Sequence, residues 1–384
     1  MTALSVAESF VFLDDPDAQE LARIAPKSLL EGDKPRLLDE WQLAPDLWNM
    51  VRRSVDASRN PGLFILTGSA VPADDAARHT GAGRFLRLRQ RTMSWWEKLD
   101  TASGTVSLNG LFDGQVPRTD TSHMPDFDQV VASLLKPGFP AMVDLEQRAA
   151  AARLAAYIDD ISRIDVQRLA AIRHEPEVIR QVIVALARSV SSETTYKTLA
   201  ADVRPVAPGI DDRTVASYVQ ILERLYVVEL QRAWTPALRS KAATRTGPRF
   251  HLADPALAAA ALGANQTRLS RDVKTAGVLF ESAVVHDLMV LSAPLGGQVR
   301  HYRDSYGNEI DAVVTLPDGR WGAVEVKLGG RQLADGVKSL TKAVSQINTD
   351  LVGEPCFQLV VTGTGPVVLT DDGTVTAPLI ALAP

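Results

Sequence analysis

The sequence predicts an α/β protein built from more than one domain. Three observations support this reading. The chain of 384 residues exceeds what a single hydrophobic core fills. Short β-branched or Leu-rich runs alternate with helical patterns over residues 10–109 and again from residue 277. The stretch between them, residues 127–236, turns helical.

In chain order, Leu37-Leu38-Asp39-Glu40 and Leu63-Phe64-Ile65-Leu66-Thr67-Gly68-Ser69 read as buried parallel strands whose polar residues sit at the C-terminal end. Ligands bind at that edge in open α/β sheets. Ile179, Val182, Ile183 and Leu186 then recur at helical spacing. A short helix over 196–203, a Pro/Gly loop, a longer helix over 211–226 and a strand pair through Val227-Val228-Glu229-Leu230 follow, the order of a winged helix-turn-helix. Asp211 suits an N-cap, and Val215, Tyr218, Val219 and Leu222 form the apolar face of the longer helix. Arg213, Gln220 and Arg224 project elsewhere, either as a DNA-contacting face or as an ordinary solvated one. A basic, Gly-containing linker is expected over 239–249. From Gly277 a helix precedes strands over 299–302, 309–315 and 321–327, another helix, and a last strand over 357–362. The expected domains are residues 1–125, 126–240 and 250–384.

Composition narrows the function classes. Apolar residues make up 46% and charged residues 23%, too apolar for disorder. The net charge of -5 gives no overall basic field, so any DNA contact rests on a local patch. The single cysteine, Cys356, excludes an internal disulfide and a cysteine-based zinc site, as suits a reducing cytoplasm. The histidines, His79, His123, His174, His251, His286 and His301, show no ligand spacing. With Glu8, Asp14, Asp15 and Asp17 near the start, no basic start and no apolar core stretch, a signal peptide is not expected. The longest apolar stretch, residues 255–264, is too short to span a bilayer. A cytoplasmic protein without a membrane partner is expected.

Two constellations carry chemistry. In the first, Pro35-Arg36-Leu37-Leu38 ends in adjacent carboxylates and resembles a Walker B motif. In such a motif the first carboxylate, here Asp39, would hold Mg2+ through its water shell, and the second, Glu40, would orient or deprotonate the attacking water. In the second, Glu309-Ile310-Asp311 and Glu325-Val326-Lys327 lie on consecutive strands joined by the Pro317-Asp318-Gly319-Arg320 turn. Glu325 and Lys327, two residues apart, share one face of a strand. Paired carboxylates bind Mg2+, and a neighbouring lysine stabilises charge or lowers the pKa of a metal-bound water.

The segments LDDP, LLDEWQLAPDLW, LTGS, GR, Gly138-Phe139-Pro140, the winged-helix pattern and the EID…EVK pair occur in one order along the chain. In that order the chain resembles the AAA+-like P-loop ATPases that carry a winged helix and a PD-(D/E)XK nuclease-like C-terminal domain of unknown function. The resemblance implies an α/β fold made of a partial AAA+-like parallel sheet, a helical winged-helix module and a PD-(D/E)XK-like domain. It also implies ATP and Mg2+ as cofactors. Ser69, at the end of the sensor-like strand, would sense the γ-phosphate, and Arg84, in Gly83-Arg84-Phe85, would contact phosphate or act as a finger arginine. Glu281, on the preceding helix, would join Asp311 and Glu325 as a metal ligand, with Lys327 as the catalytic partner. Ile310 stands where the name motif has proline.

No G-x-x-x-x-G-K-S/T occurs. The backbone cradle and lysine of that loop supply most of the nucleotide grip, so ATP is expected to bind weakly. The family carries the loop one helix before the Val11–Pro16 strand, and the resemblance therefore implies an N-terminally shortened member. The leading expectation is an ATP-dependent enzyme acting on DNA, possible as an oligomer. The alternatives are a non-enzymatic DNA-binding regulator and a protein-interaction scaffold.

Overall fold

The computed structural model describes residues 2–58, 60–68, 83–99, 106–121, 124–166, 175–236 and 247–384. The chain is a mixed α/β protein with several sheets. It divides into two compact units, one built on residues 1–90 together with 221–226, the other on the rest of the chain from Arg91.

In the first unit, β1 (Ser9–Phe12), β2 (Arg36–Asp39) and β3 (Phe64–Leu66) form a parallel sheet in the order β1-β2-β3. Parallel neighbours need a crossover between them, and the helices Pro16–Ile24 and Leu47–Ser58 supply these. The Asp15 side chain caps the first helix by accepting from the Asp17 amide at 2.8 Å. Leu13, Leu29, Leu38, Leu47 and Val51 form the buried core. Trp48 stacks on Phe85 with ring centroids 4.0 Å apart.

The second unit holds the larger sheet. The helices Tyr196–Val203 and Asp212–Arg224 come first, the latter running across the division between the units. They are followed by an antiparallel pair, β5 (Val228–Gln231) and β6 (Arg249–Leu252). Asp211 accepts from the Thr214 amide at 2.7 Å, the N-cap its position predicts. Arg249 departs from the expected linker: it opens β6 and is 4% exposed.

The long helix Val273–Ser292 leads into β7 (Gln298–Arg303), β8 (Glu309–Thr315) and β9 (Trp321–Lys327). After them come the helix Leu333–Val344, β10 (Gln358–Thr362), β11 (Val368–Leu369), β12 (Val375–Pro378) and β13 (Leu382–Ala383). Six of these strands form one sheet in the order β11-β12-β10-β9-β8-β7, with β7, β8 and β9 antiparallel and β10 parallel to β9. The β8–β9 turn closes through Gly319 at φ 92 and the Asp318 carboxylate on the Arg320 amide at 3.0 Å. Ala312, Val313, Val314, Ala323 and Val324 are fully buried. Covering on both faces explains such continuous apolar runs.

The segment 273–295 is long and apolar enough to cross a membrane by length and composition, which the 255–264 stretch is not. Of its apolar 18-residue window 67% is buried inside the protein, and the helix packs against β7, β8 and β9 as the core helix of the unit. Residues from Arg91 group with this unit, ahead of the boundary near 125 that composition suggests. The reason is polar. Thr92 Oγ1 lies 2.9 Å from His286 Nε2, and the Asp287 carboxylate accepts from the Trp95 amide at 2.7 Å. In addition, a short strand β4 (Val106–Ser107) pairs with β13. Gly138 donates its amide to Asp254 at 2.8 Å, and a Cβ there would stand 2.4 Å from the Met93 carbonyl. The glycine of Gly138-Phe139-Pro140 is thus required by close backbone approach.

Candidate functional site

The β8–β9 ladder brings the second constellation together. The two strands pair from Thr315 and Trp321 as far as Ala312 and Val324. Where the ladder ends, the Asp311 carboxylate accepts from the Val326 amide at 2.8 Å. One strand over, Lys327 Nζ stands 2.7 Å from Glu325 Oε1. Gly336, on the helix Leu333–Val344, leaves room for the lysine stem, since a Cβ there would lie 3.0 Å from Lys327 Cγ. Ser339 on the same helix hydrogen-bonds Glu325.

Glu281 reaches the same place from the core helix, where Arg249 Nη1 meets it at 2.8 Å. The same guanidinium lies 3.2 Å from Glu309 and 3.6 Å from Asp311. Arg303 pairs with Glu309 at 3.2 Å and Glu193 at 3.5 Å. Behind the cluster, Gln231 donates to the Asp311 carbonyl at 2.7 Å, and His251 stands 3.3 Å from Gln231 Oε1 and 3.0 Å from Ser282 Oγ. The β5–β6 pair therefore supports the strand end that carries Asp311.

Burial and mutual repulsion set the charge states. Burial, then the Asp311 charge, pushes Glu281 up to about 8 against the opposing pull of Arg249. The same two causes push Glu325 up to about 7. Burial works against the Lys327 ammonium, but the Glu325 carboxylate and its hydrogen bond hold the lysine above its ordinary value. Burial and then Arg249 lower His251 to about 3 and His301 to about 4, so both are neutral.

The donor chemistry, hard carboxylate oxygens beside a lysine, suits a cation such as Mg2+. The present spacing is governed by the ion pairs instead: among the described residues no three His, Cys, Asp or Glu side chains stand at metal-holding distances. Arg249, Gln231 and His251 escape the sequence reading. The alternation Arg249-Phe250-His251-Leu252 is a local signal for Arg249 and His251, and none marks Gln231 on β5.

The first constellation lies at the C-terminal end of its parallel strands. Thr67 Oγ1 donates to Asp39 Oδ1, and the Trp41 amide donates to the Thr67 carbonyl at 3.1 Å. Glu40 adopts a left-handed backbone, φ 53, and its carboxylate accepts from the Gln42 side chain. Non-glycine residues held in that region often mark functional sites. Arg84 is exposed and pairs with Asp56 at 2.5 Å. Ser69 lies outside the described residues. On the helix Asp212–Arg224, Arg213 and Gln220 are exposed and Arg224 is half-buried.

Comparison with known families finds two regions of similarity. Residues 276–380 match a domain of unknown function, DUF4143, which is often found in AAA-ATPase-associated proteins. Residues 128–268 match another domain of unknown function, DUF8612. No curated protein matches the chain.

Proposed function

We propose that the second unit is a PD-(D/E)XK-like, Mg2+-dependent module directed at phosphodiester bonds of DNA. The observation that carries this reading is the meeting of Asp311, Glu325 and Lys327 at one end of adjacent strands, with Glu281 facing them from the core helix. Asp311 and Glu325 would hold the cation, assisted by Glu281. Bound there, Mg2+ supplies Lewis acidity and an acidified water. Lys327 keeps its positive charge beside Glu325 and is suited to steady the charge that develops on the phosphate oxygens. The element order of core helix, three antiparallel strands, helix and parallel strand supports the same reading. On this reading the first unit is the partial AAA+-like ATPase half, with Asp39 and Glu40 as remnants of a Mg-ATP site. The helices Tyr196–Val203 and Asp212–Arg224 with the β5–β6 pair are a winged helix whose Arg213, Gln220 and Arg224 meet DNA. The protein then works in the cytoplasm.

The test is metal-dependent nicking of labelled duplex DNA by the full-length protein, compared with the Asp311→Ala, Glu325→Ala double variant. Loss of nicking in the double variant is expected. Equal nicking by both, or none by either across Mg2+ and Mn2+, sinks the catalytic reading. The second reading, a non-enzymatic DNA-binding regulator, draws on Arg249, which satisfies Glu281 and Asp311 without any metal. Salt-dependent DNA binding with no cleavage would favour it. Neither DNA binding nor cleavage would favour the protein-interaction scaffold.

A further inference from the structure

The nuclease-like reading gives no role to Arg249, which lies inside the carboxylate pocket. Its side chain is 5% exposed, and the guanidinium faces three carboxylates, Glu281 at 2.8 Å, Glu309 at 3.2 Å and Asp311 at 3.6 Å. Two of these, Glu281 and Asp311, are the groups that would hold a cation. Its positive charge sits out of solvent against the two deeper carboxylates, Glu281 and Asp311. A guanidinium and a divalent ion cannot both occupy the space between Glu281 and Asp311. They are competitors for the same oxygens.

The surroundings provide a way out. Glu309 is shared between Arg249 and Arg303, and Arg303 also holds Glu193. Glu309 is 37% exposed in its side chain, whereas that of Asp311 is 17% exposed. Arg249 therefore has a carboxylate on the open side that it keeps while releasing the two deeper ones. Its Nε is buried without a hydrogen-bond partner, so the guanidinium is held by charge at its outer nitrogens and not by a saturated fork. Glu281, Glu309 and Asp311 thus share one guanidinium, with Arg303 and Lys327 as the neighbouring cations.

Resting on the metal-site reading, we infer that Arg249 is an internal counter-ion that gates metal loading: it occupies the pocket at rest, and a divalent cation enters as Arg249 withdraws toward Glu309. Removing the guanidinium should then raise cation affinity, the opposite of what the loss of a merely supporting residue would do.

The experiment measures Mn2+ binding to the full-length protein by calorimetry and by the Mn2+ paramagnetic resonance signal. It compares the unaltered protein with Asp311→Asn, Arg249→Gln, Arg249→Lys and Arg249→Gln combined with Asp311→Asn. Arg249→Gln should bind Mn2+ at least tenfold more tightly than the unaltered protein, and the added Asp311→Asn change should abolish that gain. Without metal, Arg249→Gln leaves buried carboxylates uncompensated, so its melting temperature should fall and Mn2+ should restore it. If Arg249→Gln does not fold, Arg249→Lys carries the comparison. Its ammonium reaches less far and forks less well, and its affinity should exceed that of the unaltered protein by about threefold or more.

Asp311-dependent binding in the unaltered protein, with no gain in the folded Arg249 variants, overturns the gate and leaves the metal site standing. No Asp311-dependent Mn2+ binding in any of these proteins overturns both.

Discussion

The chain carries two acidic clusters at strand ends, and they are built on different principles. Asp39 and Glu40 are half-buried and are tied down by neutral neighbours, Thr67 and Gln42. Glu281, Asp311 and Glu325 sit in a deeper pocket and are tied down by cations, Arg249 and Lys327. A solvated carboxylate with a hydroxyl partner costs little to keep charged. A buried one does not, and it either finds a cation or takes up a proton. The C-terminal pocket does both, with raised Glu281 and Glu325 alongside two cationic side chains. The difference teaches where charge is stored: the second cluster holds its carboxylates against cationic side chains, while the first holds them against neutral ones.

The sharpest way to break this comparison is to remove a partner from each cluster. Lys327→Ala leaves Glu325, itself 5% exposed, without its cation. Truncating one member of a buried pair is strongly destabilising, and with Lys327 partly exposed about 3 kcal/mol is expected at pH 8. The loss should shrink at pH 6, where Glu325 takes up a proton. Thr67→Val at the first cluster removes one hydrogen bond and should cost about 1 kcal/mol. Urea unfolding of both variants, followed by circular dichroism, checks the contrast. Equal losses would show that burial does not separate the two sites.

A pH series tests the same point without mutation. Glu281 and Glu325 have folded values above their usual 4.5, so the folded protein holds their protons more tightly than the unfolded one. Their contribution is complete below about pH 4.5 and is lost as pH rises through about 7 to 8. His251 and His301 run the other way: their values are depressed from 6.5, and the stability they give is present above pH 6.5 and lost as pH falls. Between pH 6.5 and 8 only the carboxylate effect changes. In chelator-treated protein, stability should fall by about 2 kcal/mol across that window, and Glu281→Gln should flatten most of the slope. A wild-type profile that is flat or rises with pH would contradict the raised carboxylates.

A smaller effect is expected from Gly336. Adding a Cβ 3.0 Å from Lys327 Cγ forces the lysine stem to move, and Gly336→Ala should cost about 1–2 kcal/mol. It should also weaken any metal-dependent cleavage more than it weakens folding, because Lys327 shifts while Glu325 and Asp311 stay. Cleavage reduced only in proportion to the unfolded fraction would show that the lysine tolerates displacement.

How much of this was legible in the sequence follows from the range of the interactions. Asp311, Glu325 and Lys327 could be read because strand alternation fixes which residues share a face and a short turn fixes the partner strand. Glu281 was readable only through the family-like order of elements, since nothing local ties a helix residue to a strand end. Arg249 was read as linker because its role depends on carboxylates 32, 60 and 62 residues further along. The strand alternation around it was overshadowed by the basic run before it. Gln231 and His251 were missed for the same reason: their hydrogen bonds join β5, β6 and the core helix across long separations. The apolar helix Val273–Ser292 was recognised as a helix but not as the longest apolar segment, because Glu281, His286 and Asp287 interrupt its composition.

The weakest expected effect lies in the first unit and bears on its residual function. Arg84 pairs with Asp56 at 2.5 Å, and the two side chains are 43% and 35% exposed. Asp56 is also reached by Arg52 at 3.2 Å, so losing Arg84 leaves that carboxylate compensated. Exposed pairs of this kind contribute roughly 0–1 kcal/mol, and Arg84→Ala should change the melting temperature by no more than about 2 °C. If Arg84 instead serves a phosphate, the same substitution should lower Mg-ATP affinity at unchanged stability, as Asp39→Ala should. A fluorescent ATP analogue titrated against the unaltered protein, Arg84→Ala and Asp39→Ala separates the two roles. Binding that Asp39→Ala abolishes and Arg84→Ala leaves intact would exclude Arg84 from the nucleotide site.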